Sequence, residues 1–163
     1  MQDFLDWLTD SSYAAWVNES GGWPIALTIH AFGVAIVIGF MAIFGLRLMG
    51  RFRTMPYASL NRFFPYIWIA VAFQVVSGFT LWMSKPAQYL ADGMFEVKFA
   101  LVIIASIVTA YFQGTFRREA PAWEAAGKVS PRGRRLVEAS CVLWAAVVIG
   151  GRLTAYLGSL YLR

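Results

Sequence analysis

An all-α bundle of four transmembrane helices, running up-down-up-down behind an amphipathic N-terminal segment, is the fold this sequence predicts. Three observations predict it. The 163-residue chain is 59% hydrophobic with a mean hydropathy of +0.58, above the roughly 45–50% apolar share of soluble domains. The excess is gathered into four runs, at about 23–46, 63–84, 97–116 and 136–162, each of a length that crosses a hydrocarbon core of about 20 residues. The basic residues fall mainly between those runs, in the first and third connections, as loop-charge asymmetry demands of a polytopic chain. Residues 1–22 then form an amphipathic surface segment and residues 23–163 the membrane domain.

Residues 2–19 place Phe4, Leu5, Trp7, Leu8, Ala15 and Trp16 at helical intervals, with Asp3, Asp6, Asp10 and Glu19 between them. This reads as one or two short helices lying on the membrane surface. Gly21-Gly22 ends the segment, and Trp23-Pro24 opens the first span with proline at a helix start, where its missing N–H costs nothing. No cleavable signal is expected, because the N-terminus is acidic and the apolar run behind it is too long.

The first span holds Gly33, Gly39 and Gly45 at every sixth residue. Six residues rotate a helix by about 600°, so these glycines form no single stripe and mark separate points of close approach. The second span carries Pro65, Gln74, Ser77 and Gly78; the third begins near Lys98 and includes Thr109 and Gln113; the fourth has Glu138 near its start and Arg152 well inside. The connection 47–62 has Arg47, Arg51, Arg53 and Arg62 with no acid, and 117–135 is also strongly basic, broken by Ser-Pro-Arg-Gly at 130–133. The positive-inside rule puts both basic loops in the cytoplasm and both termini outside, in the periplasm if the membrane is a bacterial inner membrane.

The net charge of +5 is accounted for by topology, so no nucleic-acid partner is expected. The single cysteine, Cys141, excludes an intrachain disulfide and any paired-cysteine metal motif. It is expected to pack as a small apolar residue. No nucleophile–base pair, phosphate loop or paired carboxylates appears in the spans. A self-contained enzyme is therefore not expected, and an electron-transfer or accessory role is.

His30 is the only histidine, and it lies inside the first span. An ionisable group there is a functional-site candidate by default. Under the topology above, His30, Gln74, Ser77 and Arg152 all lie roughly 10–15 Å below the outer surface. A histidine, an arginine and amides at one depth suit b-type haem. Imidazole is a standard axial ligand, Arg152 offers a planar fork to a propionate, and Gly33, three residues on from His30, leaves space for a macrocycle. Phe32, Trp68, Phe73, Phe79 and Tyr156 are available as apolar walls.

One histidine gives one axial ligand per chain. The second would come from His30 of another copy, from Met83 or Met94, or the iron would be five-coordinate; Met41 lies eleven residues on, about 16 Å away. The function predicted is a membrane b-haem protein for electron transfer, exchanging electrons with a quinone or a periplasmic carrier, in a homo-oligomer or with partner membrane subunits and in contact with lipid. The alternative is a non-catalytic scaffold or accessory subunit, in which His30, Gln74, Ser77 and Arg152 form a structural polar network. Scattered methionines argue against a copper site. The lack of a mid-membrane acid argues against solute transport.

The stretch WVNES-GGWPIALTIHAFGVAIVIGF, the following LRLMG and the later GGRLTAYLG resemble a family of small four-helix bacterial inner-membrane proteins of no assigned activity. The shared pattern is Trp-x-x-Glu-Ser, Leu-His-x-x-Gly in the first span and Gly-Arg in the last. It falls here on Trp16, Glu19, Ser20, His30, Gly33, Gly151 and Arg152, with Ile29 in place of the leucine. The resemblance implies a four-span fold. It is similar, more distantly, to small membrane cytochromes b and copper-resistance membrane proteins, which have more histidines.

Overall fold

A computed structural model describes residues 7–86, 89 and 93–160, with the backbone alone for 93–94 and 154–160. Phe4, Leu5, Asp3 and Asp6 lie outside the described residues, as do the side chains of Met94 and Tyr156. Among the described residues there are six α-helices and no strand: α1 Ser12–Glu19, α2 Gly22–Leu48, α3 Tyr57–Leu60, α4 Phe64–Ser84, α5 Gly93–Ala126 and α6 Pro131–Leu160. A 3₁₀ turn, Asn61–Phe63, joins α3 to α4. Four of the helical segments, Gly22–Leu48, Tyr57–Ser84, Phe95–Ala126 and Pro131–Leu153, are long and apolar enough to cross a membrane. The chain is a multi-pass membrane protein, and its helices form the bundle expected.

Local chemistry sets the helix ends. Ser11 caps α1 by accepting from the Ala14 N–H at 3.2 Å. Gly21 turns the chain at φ +79°, a conformation glycine adopts without steric cost. Pro65 sits in the first turn of α4. Ser130 precedes Pro131 and accepts from Gly133 N–H at 3.1 Å, which caps α6.

α1 is not a free surface helix. The Tyr13 hydroxyl bonds to Thr80 Oγ1 at 2.7 Å and Asn18 donates to the Ser84 carbonyl at 3.1 Å, so α1 is docked on the end of α4. The third span also differs from expectation. It continues as helix through the stretch expected as loop, to Ala126, and the connection to α6 shrinks to residues 127–130. The reason is composition: Arg117 to Ala126 is rich in Ala, Glu and Arg, which favour helix strongly enough to carry Pro121. At 1.5 Å per residue the 34-residue α5 is roughly 50 Å long, so it projects beyond the bilayer.

α2 packs on α4 and α6, and α5 packs on α6. The densest part of the core lies toward the basic end. Phe44 of α2 meets Phe64 at 4.7 Å, and Phe112 and Phe116 edge-on at 5.3 and 5.2 Å, the geometry aromatic quadrupoles prefer. The glycines of α2 behave as separate contacts. A Cβ on Gly33 would meet Gln74 Cγ at 2.9 Å, one on Gly45 would meet Cys141 Sγ at 3.2 Å, and Gly39 faces open space. Cys141 packs as expected, with its thiol on the Met41 carbonyl at 3.3 Å.

Candidate functional site

The polar layer expected near the termini end is assembled by α2 and α4. His30 is half-buried on α2, and its Nδ1 lies 3.0 Å from Ser77 Oγ on α4. Ser77 has a single proton, and the Phe73 carbonyl sits 2.6 Å from its oxygen. That carbonyl can only accept, so the hydroxyl donates to it and accepts from the His30 Nδ1–H. The Gln74 carbonyl also lies beside the ring. This pattern selects the tautomer whose Nε2 carries a lone pair, and Nε2 has no hydrogen-bond partner among the described residues. A histidine oriented through Nδ1 with Nε2 presented is the arrangement that metal-ligating imidazoles use.

Gln74 is buried beside the same layer, and its amide Nε2 finds no partner among the described residues. Its Cγ fills the space that Gly33 leaves. Gly33 therefore serves the contact of α2 with α4, and the glycine facing the imidazole is Gly78. A Cβ there would lie 3.5 Å from His30 Cε1. Gly78 was present in the second span but its rotation relative to His30 depends on how α2 and α4 cross, which spacing within one helix does not reveal.

Arg152 is placed elsewhere: it is exposed on α6 and makes no ion pair or hydrogen bond among the described residues. Its neighbour Gly151 packs against the Lys98 side chain, with the ammonium 3.4 Å from where a Cβ would stand. Lys98 is within electrostatic reach of His30 and likewise has no acidic partner among the described residues. The structure thus brings His30, Gln74, Ser77 and Gly33 together, adds Gly78 and Lys98, and leaves Arg152 on the outer surface of the bundle. Of the aromatic walls, Phe32, Phe73 and Phe79 are exposed on the lipid-facing side, and Trp68 instead donates to Gln113 at 2.7 Å. Among the described residues no group of three or more His, Cys, Asp or Glu could hold a metal.

A second polar cluster lies at the basic end. Arg47 is buried, although its charge assigns it to a loop. Its Nε donates to the Met55 carbonyl at 2.7 Å, its Nη1 to the Tyr57 hydroxyl at 3.1 Å, and its guanidinium carbon stands 3.9 Å over the Tyr57 ring. Glu124 of α5 accepts from the Tyr57 N–H at 2.6 Å and stands 3.9 Å from Arg47. Val37, Met41, Phe44 and Leu48 mark the buried face of α2. Arg47 stands three residues after Phe44, so that stripe was the available signal. Comparison with protein-family models, curated proteins and solved structures finds no match to this chain.

Proposed function

We propose that the chain is a b-type haem protein of the bacterial inner membrane that transfers electrons, with both termini in the periplasm and His30 as an axial ligand. The observation that carries this reading is the His30–Ser77 pair, which holds the ring by Nδ1 and leaves Nε2 without a partner among the described residues. The residues present fit such a group. Gly78 keeps bulk away from the ring. Lys98, a cation without an acidic partner among the described residues, would suit a propionate, whereas Arg152 stands on the outer surface and is not part of this fit. Bound there, the group would supply a one-electron couple; the chain's own part is to fix the imidazole and neutralise a carboxylate.

A second donor beside His30 would come from Met94, whose side chain lies outside the described residues, or from another copy of the chain. Met41 is in the core with its backbone tied to Cys141. Met83 is buried five residues beyond Gly78, about 7.5 Å along α4. A second copy presenting its own His30 meets the need, so the proposed working form is a homo-oligomer embedded in lipid, exchanging electrons with a quinone or a periplasmic carrier. The scaffold reading draws on the same α2–α4 hydrogen bond, which holds two helices together with or without a cofactor.

Absorbance separates the two readings. Protein from haem-replete cells is scanned oxidised and then dithionite-reduced. The haem reading expects a Soret band with reduced α and β bands, lost in His30→Ala and shifted in Ser77→Ala. A featureless spectrum refutes it and leaves the scaffold.

A further inference from the structure

The second unexplained feature lies at the opposite end of the bundle. A cleft of about 550 Å³ opens between the α2–α3 connection and the α5–α6 turn. Arg47, Arg53, Lys128 and Arg134 line it, against a single carboxylate, Glu124. That carboxylate is already engaged by the Tyr57 N–H and by Arg47. Arg134 has Glu138 at 2.8 Å on its Nε, which leaves its two terminal nitrogens to turn elsewhere. Arg53 uses only Nε, on the Gly50 carbonyl at 3.2 Å. Lys128 has no partner among the described residues.

Topology explains why this end is basic. It does not explain why these four side chains share one cleft. Arg51, Arg62, Arg118, Arg132 and Arg135 satisfy the same rule without lining it. Like charges gathered in a cleft repel one another unless an anion joins them. Two further observations shape the ligand. Arg47 and Tyr57 form a rigid, buried floor, since the guanidinium is fixed by two hydrogen bonds and a ring. Leu48, Met49, Trp123 and Val129 give the same cleft an apolar wall. A cationic floor and rim beside apolar surface, at the membrane boundary of a helix bundle, is the arrangement that holds a phosphate headgroup.

We propose that this cleft binds a phosphate group, carried by an anionic phospholipid or by a soluble phosphate compound. The site is independent of the haem reading and shares no residue with it. Arginine suits the task because its planar fork pairs two oxygens of a phosphate at once.

The test compares two charge-matched variants of the full chain in dodecyl maltoside. One is the cleft triple Arg53→Gln/Lys128→Gln/Arg134→Gln. The other is Arg51→Gln/Arg62→Gln/Arg118→Gln, which removes the same charge from the same end. Both spare Arg47 and Tyr57, so the core stays intact. Native mass spectrometry and calorimetry follow binding of phosphatidylglycerol, of phosphatidylcholine and of inorganic pyrophosphate. The expected result is that wild type binds phosphatidylglycerol or pyrophosphate in preference to phosphatidylcholine. The cleft triple should weaken that binding by at least about tenfold, with the control triple staying within about twofold. Binding of phosphatidylglycerol alone identifies the lipid as the source; binding of pyrophosphate identifies a soluble compound. An equal loss in both triples reduces the effect to general surface attraction and overturns the site. So does the absence of any phosphate binding by wild type at millimolar ligand.

Discussion

Replacing Arg47 by methionine tests how the basic end is held together. The substitution keeps length and apolar bulk and removes the guanidinium. Three interactions go with it. The Nε bond to the Met55 carbonyl, 2.7 Å long, is charge-assisted and contributes about 1.5–3 kcal/mol. The Tyr57 contact, through its hydroxyl at 3.1 Å and its ring at 3.9 Å, adds about 1–2 kcal/mol. The ion pair with Glu124 contributes less than about 1 kcal/mol, because it is 3.9 Å long and the carboxylate is 47% exposed. The thioether's own burial offsets part of the loss, so Arg47→Met should destabilise by about 2–4 kcal/mol. Glu124→Gln keeps an acceptor for the Tyr57 N–H and should cost no more than about 1 kcal/mol. Reversible unfolding by SDS in mixed micelles, followed by tryptophan fluorescence, reads both. If Glu124→Gln costs as much as Arg47→Met, the ion pair and not the hydrogen-bonded floor is the main tie, and the ranking is wrong. If Arg47→Met lies within about 1 kcal/mol of wild type, the guanidinium is not structural at all.

Two further outcomes are expected. Gly33→Ala should cost about 1–3 kcal/mol in the same assay, because the new Cβ falls 2.9 Å from Gln74 Cγ and 3.1 Å from the Ala70 carbonyl; Gly39→Ala, which meets nothing within 4 Å, should cost nothing. In a Cys141→Ser background, membrane-impermeant maleimide on intact cells should label Ser20→Cys and not Lys128→Cys, and the reverse pattern would invert the orientation drawn from the loop charges.

The spans were legible because lipid imposes a length and an apolar composition that a sequence displays openly. Their ends were less so. Arg117 to Ala126 is charged, and charge in a membrane protein is taken for loop, yet its residues are good helix formers and the helix runs on into water. Proximity was legible in part: His30 and Ser77 are in hydrogen-bond contact, and Gln74 packs against Gly33. Rotation was not. Whether a residue at the right depth faces a neighbour or lipid depends on crossing angles that no single span encodes. For that reason Gly78, not Gly33, faces the imidazole, and Arg152 stands on the outside. Arg47 was hidden by its charge in a position whose periodicity belongs to the core.

The clasp between Arg47 and Glu124 also bears on how the chain is made. The first half, α2 through α4, leaves the ribosome before α5 exists. During that interval Arg47 can already reach Met55 and Tyr57, but the acceptor for the Tyr57 N–H and the counter-charge beside the guanidinium are still unsynthesised. The nascent half-protein therefore waits with an incomplete seam at its basic edge. The second half arrives as a tight hairpin, its turn only residues 127–130 long, and carries Glu124 into place as one piece. A chain stopped after Ser84 should thus be held by the insertion machinery or degraded, and supplying residues 85–163 as a separate polypeptide should rescue it.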